Sequence, residues 1–341
     1  MELYLLLLLL AIACVVFSVS VDDGVLSGAL LALAMGMVGL FRLDTGYDYA
    51  TYYSMIRNDT VPEGVEPIMR TAFRLFHDLK LYWLGVSLFA ALTIGILWYA
   101  LRHSRTNAAF GLFIFLSVPV FYFASFSVIR QFLAISVLAL AAIRAQRSGW
   151  VSAVVLCGAA VAIHKSSILF VLPVLAVRTT SRIYPMATYV AMILGAGTLS
   201  LFVGYLVDTL LPGYRYYLQQ EGGDGRLLGL FFGGLCVLFL ISKSRIPQSA
   251  ARYFNLFFLG AIAYLALVGL NAAAARAGLY GLVFLCWLVP EVVGASRNGI
   301  SVLSSVSIGS FAGLHMFYLY MVKDGGGLRV TPYTSIFAEA F

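Results

Sequence analysis

Residues 149–178 read GWVSAVVLCGAAVAIHKSSILFVLPVLAVR, in which two apolar runs are separated by His164 and Lys165. As helices, the runs 149–163 and 167–178 would be about 22 Å and about 18 Å long, whereas the hydrocarbon core of a bilayer is about 30 Å thick. Basic loops on both sides of the stretch require an even number of membrane crossings. We therefore predict a helical hairpin that turns inside the membrane, with His164 at the base of an outward-facing pocket.

The composition of the whole chain indicates an integral membrane protein. Of its 341 residues, 62% are hydrophobic and 11% are charged, and apolar runs of about 17–25 residues recur along it. We predict an all-α, polytopic membrane protein that forms one membrane domain over residues 1–341, with about twelve spans. The predicted spans are 3–20, 25–41, 81–101, 107–125, 128–143, 149–163, 167–178, 184–207, 227–242, 253–270, 277–293 and 299–322.

The positive charge and the cysteines do not point to a ligand. The net charge of +7 is explained by basic cytoplasmic loops, so no nucleic-acid partner is predicted. All four cysteines lie in apolar runs without metal-ligand spacing, which predicts small buried hydrophobic residues. They are Cys14, Cys157, Cys236 and Cys286. Residues 1–21 lack a basic region, so we predict a first membrane helix rather than a signal peptide.

The distribution of basic residues assigns an orientation. Arginines and lysines concentrate in the loops on one side of the predicted layout, which is therefore the cytoplasmic side. These residues are Arg102, Arg105, Arg144, Arg147, Arg178, Arg182, Lys243, Arg245, Arg252 and Arg297. The segments 42–80 and 208–226 then face outward, whereas the acidic pair Asp22-Asp23 lies on the cytoplasmic side, against the trend.

The outward-facing segment 42–80 predicts two short amphipathic helices on the membrane surface, one of them a candidate lid. Tyrosine and isoleucine recur at helical spacing in the first helix, at Tyr49, Tyr52, Tyr53 and Ile56. Glu66-Pro67 marks the start of the second helix, because proline suits the first turn and an acid suits the N-terminus. The apolar residues Ile68, Phe73 and Phe76 are predicted to pack down at the interface.

Three polar interruptions of apolar stretches carry the candidate binding groups. A charge within a membrane costs about 2.5–3.5 kcal/mol and is usually functional. The interruptions contain Arg130 and Gln131, His164 and Lys165, and Arg276. Arginine binds phosphate bidentately and histidine acts as a general base, so we predict an anionic ligand at membrane depth. The alternatives are snorkelling interfacial cations and a histidine bonded to a backbone carbonyl.

Further candidates lie in the outward-facing loops. Asp44 and Asp48 are four residues apart, which would place them on one helix face; a divalent cation site is one interpretation and helix capping the other. Tyr49 and Tyr52 are aromatic candidates for sugar stacking, although interfacial aromatic belts explain the same residues. Arg215 lies in a second polar, aromatic loop. Nucleotide-binding, zinc and serine-nucleophile motifs are absent from the sequence, and no metal or cofactor is predicted.

The order of these motifs resembles the EpsG-like family of bacterial polysaccharide polymerases, which is related to Wzy-type O-antigen polymerases. The match extends over nearly the whole chain. Its elements are Arg42-x-x-x-Gly46-x-Asp48-Tyr49-x-x-Tyr52, Glu66-Pro67, Arg130-Gln131-x-x-Ala134, His164-Lys165-Ser166-Ser167, Arg276-x-x-x-Tyr280 and Pro332-Tyr333. The additional Asp44 before Gly46 departs from the family pattern, in which Gly-x-Asp often stands alone.

The resemblance implies a fold similar to glycosyltransferases that use lipid-linked donors, and a multi-pass protein of the bacterial inner membrane with its active site facing outward. The implied donor and acceptor are oligosaccharide repeat units on undecaprenyl diphosphate, and a chain-length regulator is a further implied partner. Arg130 and Arg276 would bind the diphosphate. His164 would accept the proton of the acceptor hydroxyl or hydrogen-bond the diphosphate, and Asp48 or Glu66 is the next candidate base. Gln131, Lys165, Tyr49, Tyr52, Tyr280, Asp44 and Arg215 would contact the substrate. Transfer would invert the anomeric centre without a metal.

Two other classes of function share these features. A transporter or flippase of lipid-linked oligosaccharide would also contain a cationic cavity and broken helices, although paired discontinuous segments are not evident in the two halves of the sequence. A membrane O-acyltransferase would also carry an intramembrane histidine.

Overall fold

The computed structural model describes residues 1–21, 24–104, 106–147, 149–179, 181–210, 226–268, 272–295, 302–322 and 329–336. Over these residues the fold is almost entirely helical. The helices are α1 (Glu2–Val21), α2 (Gly24–Leu40), α3 (Tyr49–Arg57), α4 (Pro67–Asp78), α5 (Leu84–Ser104), α6 (Ala108–Ser117), α7 (Ala124–Ser127), α8 (Ile129–Gln146), α9 (Trp150–Ile163), α10 (Ile168–Leu175), α11 (Met186–Leu210), α12 (Arg226–Ile241), α13 (Ala251–Val268), α14 (Ala272–Ala275), α15 (Leu279–Leu282), α16 (Leu285–Gly294) and α17 (Val302–Val322).

Six helical segments among the described residues are long and apolar enough to cross a membrane. They are Glu2–Val21, Leu84–Ser104, Ile129–Gln146, Gln248–Val268, Arg276–Gly294 and Ser304–Val322. Several shorter apolar helices accompany them, including Gly24–Leu40 and Trp150–Ile163. The predicted all-α, polytopic membrane protein is therefore confirmed, and the number of about twelve spans stays a prediction.

The described residues form two compact units, Met1–Ile168 with Val289–Phe341, and Leu169–Leu288. In the first unit, α8 is the central helix, because its apolar residues face every direction and all of them except Leu140 are buried, with α5 and α9 as its main neighbours. Helix α6 is likewise buried along its whole length and packs against α1 and α2. A helix that is apolar all round is stable only where neighbours or lipid surround it, which explains this central position.

The predicted continuous span 107–125 is wrong. Helix α6 ends at Ser117, and a buried turn precedes α7 at Ala124. Val118 is extended, with φ −86° and ψ 109°, because the residue before a proline is driven away from the helical conformation. The predicted span 277–293 is also interrupted, by a short 3₁₀ turn and the break between α15 and α16. Hydrophobicity alone does not register these breaks.

The chain breaks at His164, as predicted for the first quoted stretch. Helix α9 ends at Ile163, His164 is extended with φ −154° and ψ 114°, and a 3₁₀ turn over Lys165–Ser167 precedes α10. The position of this turn inside the bilayer stays a prediction. The four cysteines are free and buried, which confirms their interpretation as small core residues.

The two amphipathic helices predicted for 42–80 are present as α3 and α4. Helix α4 begins at Pro67 with Glu66 as its N-cap residue, as the Glu-Pro pair predicts. Ile56, Met69 and Phe73 are fully buried beneath the two helices. Ile68 is 45% exposed, so its predicted packing is wrong: it directly follows Pro67 and is turned about 100° around the helix axis from Met69.

A two-stranded antiparallel sheet ties the C-terminal segment of the chain to the residues that follow the C-terminal end of α2. Strand β1 (Arg42–Leu43) pairs with β2 (Thr334–Ser335), with Arg42 opposite Ser335. The Tyr333 hydroxyl donates to the Val38 carbonyl at 3.0 Å, and the Tyr4 hydroxyl donates to the Val330 carbonyl at 2.9 Å. The first bond satisfies a backbone carbonyl that the last turn of α2 leaves unpaired, and the second ties α1 to the C-terminal segment.

In the second unit, α13 packs against α11, α12 and α15. The approach of α15 depends on glycine at position 260, where a Cβ atom would lie 2.4 Å from the Leu282 amide nitrogen. Small residues permit such close contact between helices in membrane proteins. The Tyr189 hydroxyl donates to the Asn255 side chain at 2.7 Å and joins α11 to α13.

Candidate functional site

One carboxylate, that of Glu66, connects three segments of the first unit. Its side chain is 5% exposed and makes no capping bond to its own helix. Instead, Oε2 accepts a hydrogen bond from Nη1 of Arg130, and Oε1 accepts one from the Lys165 amide at 3.1 Å. Oε1 also lies 3.2 Å from Nδ1 of His164. These four residues, Glu66, Arg130, His164 and Lys165, are named the Glu66 cluster below.

The members of the cluster all lie at the ends of helices. Glu66 precedes α4, Arg130 is the second residue of α8, and His164 follows α9. Side chains at such positions project beyond the helical hydrogen-bond network and can meet side chains from other segments. The Arg130 and His164 side chains are 22% and 24% exposed, so a ligand can reach both side chains.

The surroundings keep Glu66 ionised. Burial alone would raise the pKa of a glutamate, but the His164 ring, the Lys165 amide and the Arg130 charge outweigh burial and lower the pKa of Glu66 from 4.5 to about 2. A carboxylate with this pKa is a poor base at neutral pH. Its charge lies beside Nδ1 of His164, an arrangement that leaves Nε2 to exchange a proton with a substrate.

Helices α3 and α4 hold Arg130 in place. Its Nε donates to the Tyr52 hydroxyl at 3.4 Å, and its guanidinium carbon lies 5.9 Å from the centre of the Tyr52 ring. Tyr52 is in turn packed against Phe73 of α4. Nζ of Lys165 donates to the Gly64 carbonyl at 3.4 Å, which ties the loop before α4 to the turn after α9.

Other predicted residues of the first unit lie around the cluster in different settings. Gln131 is buried at the start of α8. Tyr49 is also buried, with its ring stacked on that of Tyr53 at 6.1 Å. Asp48 is half-buried directly before α3, whereas Asp44 is exposed in a left-handed conformation with φ 46°. The expected shared helix face of the two aspartates is wrong, because α3 begins only at Tyr49.

The remaining predicted residues belong to the second unit or lie outside the described residues. Arg276 is exposed and is the first residue of the candidate span Arg276–Gly294. It lies in a 3₁₀ turn that follows α14 and not at the N-terminus of a regular helix. Tyr280 is buried, with its ring stacked on that of Phe170 at 6.0 Å. Arg215 lies outside the described residues.

The sequence reasoning assigned no role to Arg42, which is fully buried in the structure. Arg42 opens the Arg-x-x-x-Gly element and follows directly on an apolar helix. Arginines at the ends of apolar helices commonly reach the membrane interface, so this position alone does not indicate burial. An arginine four residues before a glycine in a turn is the only local signal of its buried position.

The fold and this cluster define a polytopic membrane protein with a partly open cationic site built on a buried carboxylate. The chain belongs to the EpsG family, whose family model matches residues 25–335, nearly the whole chain. No curated protein and no solved structure matches the chain significantly.

Proposed function

We propose that this protein is a polysaccharide polymerase. It transfers a glycan from undecaprenyl diphosphate to a hydroxyl group of a second lipid-linked repeat unit, on the outer face of the bacterial inner membrane. The proposal includes a fold similar to glycosyltransferases with lipid-linked donors, and a chain-length regulator as a further partner. The Glu66 cluster is the observation that supports it most directly, because it combines an arginine for phosphate with a histidine held for proton transfer.

In the proposed reaction, the acceptor hydroxyl attacks the anomeric carbon of the donor sugar. A new carbon–oxygen bond forms as the bond between that carbon and the diphosphate oxygen breaks, and undecaprenyl diphosphate leaves with the electron pair. Attack opposite the leaving group inverts the anomeric centre. Nε2 of His164 takes the hydroxyl proton, while the Glu66 carboxylate stabilises the imidazolium that results. Arg130 stabilises the charge that develops on the diphosphate.

This arrangement changes the choice of base. Glu66 was an alternative base, but its lowered pKa suits it to orienting His164 instead. The geometry favours chemistry over simple passage of a lipid-linked oligosaccharide, since a flippase needs cations along its path but no histidine held by a buried carboxylate. The role of Arg276 rests on its position in the sequence and on the family order.

The test uses protein in nanodiscs with a lipid-linked repeat unit, and it follows both glycan length and movement of the unit between leaflets. We expect longer glycans from the wild type and a loss of elongation in His164→Ala and Arg130→Ala. His103→Ala is the matched histidine control, because the His103 ring contacts its own helix, with Nδ1 2.8 Å from the Tyr99 carbonyl oxygen. Arg276→Ala in the same assay tests the second predicted cation.

Movement between leaflets without elongation would contradict the polymerase and indicate a flippase. Normal elongation by folded His164→Ala and Arg130→Ala proteins would contradict the proposed site. Release of an acylated product would indicate the O-acyltransferase alternative.

A further inference from the structure

Arg42 is a buried cation without an acidic partner. Its side chain is fully inaccessible, and no carboxylate in the described part of the chain forms an ion pair with it. Burial lowers the pKa of Arg42 to about 10, so its guanidinium remains protonated at neutral pH. Burying a charge without an opposite charge beside it costs free energy. The groups that Arg42 binds are therefore expected to have a role in the protein.

Its hydrogen bonds go to two carbonyl oxygens from a single nitrogen. Nη1 donates to the Thr45 oxygen at 2.8 Å and to the Phe126 oxygen at 2.5 Å. The guanidinium carbon also lies 4.8 Å from the centre of the Phe126 ring and 5.7 Å from that of Tyr49. These cation–π contacts replace part of the lost hydration. Arg42 therefore holds Phe126 by both its backbone and its ring.

Phe126 lies at the break between two helices. Helix α7 ends at Ser127, Val128 has a non-helical ψ of 58°, and α8 begins at Ile129. In an uninterrupted helix the Phe126 carbonyl would accept a hydrogen bond from the amide four residues later, that of Arg130. In this structure the Arg42 guanidinium donates to that carbonyl.

Other residues of the turn 42–47 also contact the break between α7 and α8. The Tyr47 amide donates to the Ser127 hydroxyl at 2.9 Å. Gly46 has φ 106°, and a Cβ atom at this position would lie 2.6 Å from the Phe126 oxygen. A left-handed backbone in such close contact requires glycine. Residues 42–47 therefore form a fitted support for the start of α8.

We infer that Arg42 is a positioning residue: by binding the Phe126 carbonyl it keeps the helix broken and fixes the first turn of α8, and with it Arg130. Arg42 touches no substrate and acts through Arg130. The inference rests on the proposed function for its effect on activity, but its effect on the backbone is independent of any substrate.

The test compares Arg42→Lys with Arg42→Met. Because both hydrogen bonds come from one nitrogen, a lysine ammonium with its three donors can make both. Arg42→Lys should therefore retain most of the elongation activity. Arg42→Met should lose about 100-fold, as expected when a binding group is displaced by about 1 Å. Arg57→Met, at an exposed arginine of α3, is the control and should behave as wild type.

A backbone measurement separates positioning from general destabilisation. In Arg42→Met, hydrogen exchange at the Arg130 amide should become slower, because the freed Phe126 carbonyl can accept it. General destabilisation would instead accelerate exchange throughout the chain. Gly46→Ala places a methyl group against the Phe126 oxygen and serves as a second variant if Arg42→Met does not fold. It should lower elongation and change hydrogen exchange only within residues 124–131.

Three results would overturn the inference: an Arg42→Lys protein as inactive as Arg42→Met, exchange within 124–131 that is unchanged in both Arg42→Met and Gly46→Ala, or faster exchange spread over the whole chain. If the wild type elongates no lipid-linked glycan, the proposed function fails, while the exchange results still decide the role of Arg42.

Discussion

Replacing Glu66 with glutamine tests whether one carboxylate organises the site. The substitution keeps the size of the side chain and removes its charge. In the wild type, this charge faces the Arg130 guanidinium, the Lys165 amide and the His164 ring. Removing one partner of a buried ion pair leaves the other partner buried and uncompensated, which destabilises the folded protein. We expect Glu66→Gln to unfold more easily and to lose elongation activity.

The lowered pKa of Glu66 sets the size and the pH dependence of the effect. A shift from 4.5 to about 2 corresponds to about 3 kcal/mol of stabilisation of the charged form at neutral pH. Because the pKa in the folded state is the lower one, this stability is fully present above pH 4.5 and is lost as the pH falls towards 2. At pH 3 about 1.4 kcal/mol should remain.

The assay is thermal unfolding of the purified protein in detergent between pH 7 and pH 3. The difference in unfolding free energy between wild type and Glu66→Gln should be constant from pH 7 to about pH 5.5 and should shrink below pH 4.5. Glu63→Gln is the matched control, because Glu63 lies in the same loop with an exposed side chain. Equal stability of wild type and Glu66→Gln at pH 7, or an equal loss in Glu63→Gln, would show that the Glu66 carboxylate does not stabilise the cluster.

Three further predictions address other parts of the molecule. Arg130→Lys should lower elongation about 100-fold in a folded protein, because one ammonium cannot reproduce the planar donors of a guanidinium; wild-type rates would contradict this. Gly260→Ala should lower the unfolding free energy by about 2 kcal/mol in a thermal unfolding measurement, because its Cβ atom would lie against the Leu282 backbone. Gly234→Ala is the control and should leave the unfolding free energy unchanged, because a Cβ atom there would have no described atom within 4 Å. Asn107→Ala should cost about 1 kcal/mol in the same measurement, because the Asn107 side chain accepts a hydrogen bond from the Phe110 amide at 3.0 Å at the start of α6; an unchanged melting temperature would count against that cap.

The structural features that the sequence predicts correctly are marked by residues that lie close together in the chain. The break at His164 follows from two apolar runs too short to span a bilayer, and the start of α4 follows from Glu66-Pro67. The break before α7 was missed because the residues around Pro119 are as apolar as a membrane helix, so hydrophobicity gives no contrast there. The proline itself was the available signal.

The candidate site was only partly visible in the sequence. Arg130 and His164 were identified because a charge is conspicuous in an apolar run. Glu66 was expected to serve as the cap of a helix or as a base, and its function as the shared partner of both residues was not foreseen. Arg42 received no role, because an arginine at the end of an apolar helix commonly reaches the membrane interface.

That this is a helical membrane protein with cations interrupting its apolar segments follows from the amino-acid sequence, because hydrophobic length and charge are local properties of the chain. Which acidic side chain contacts which basic one follows from the packing of the helices. Glu66 is 64 residues from Arg130 and 99 residues from Lys165 in sequence, and Arg42 is 84 residues from Phe126. Burial of apolar surface drives these segments together and does not depend on which polar groups they carry. The polar groups therefore pair only once the helices have packed.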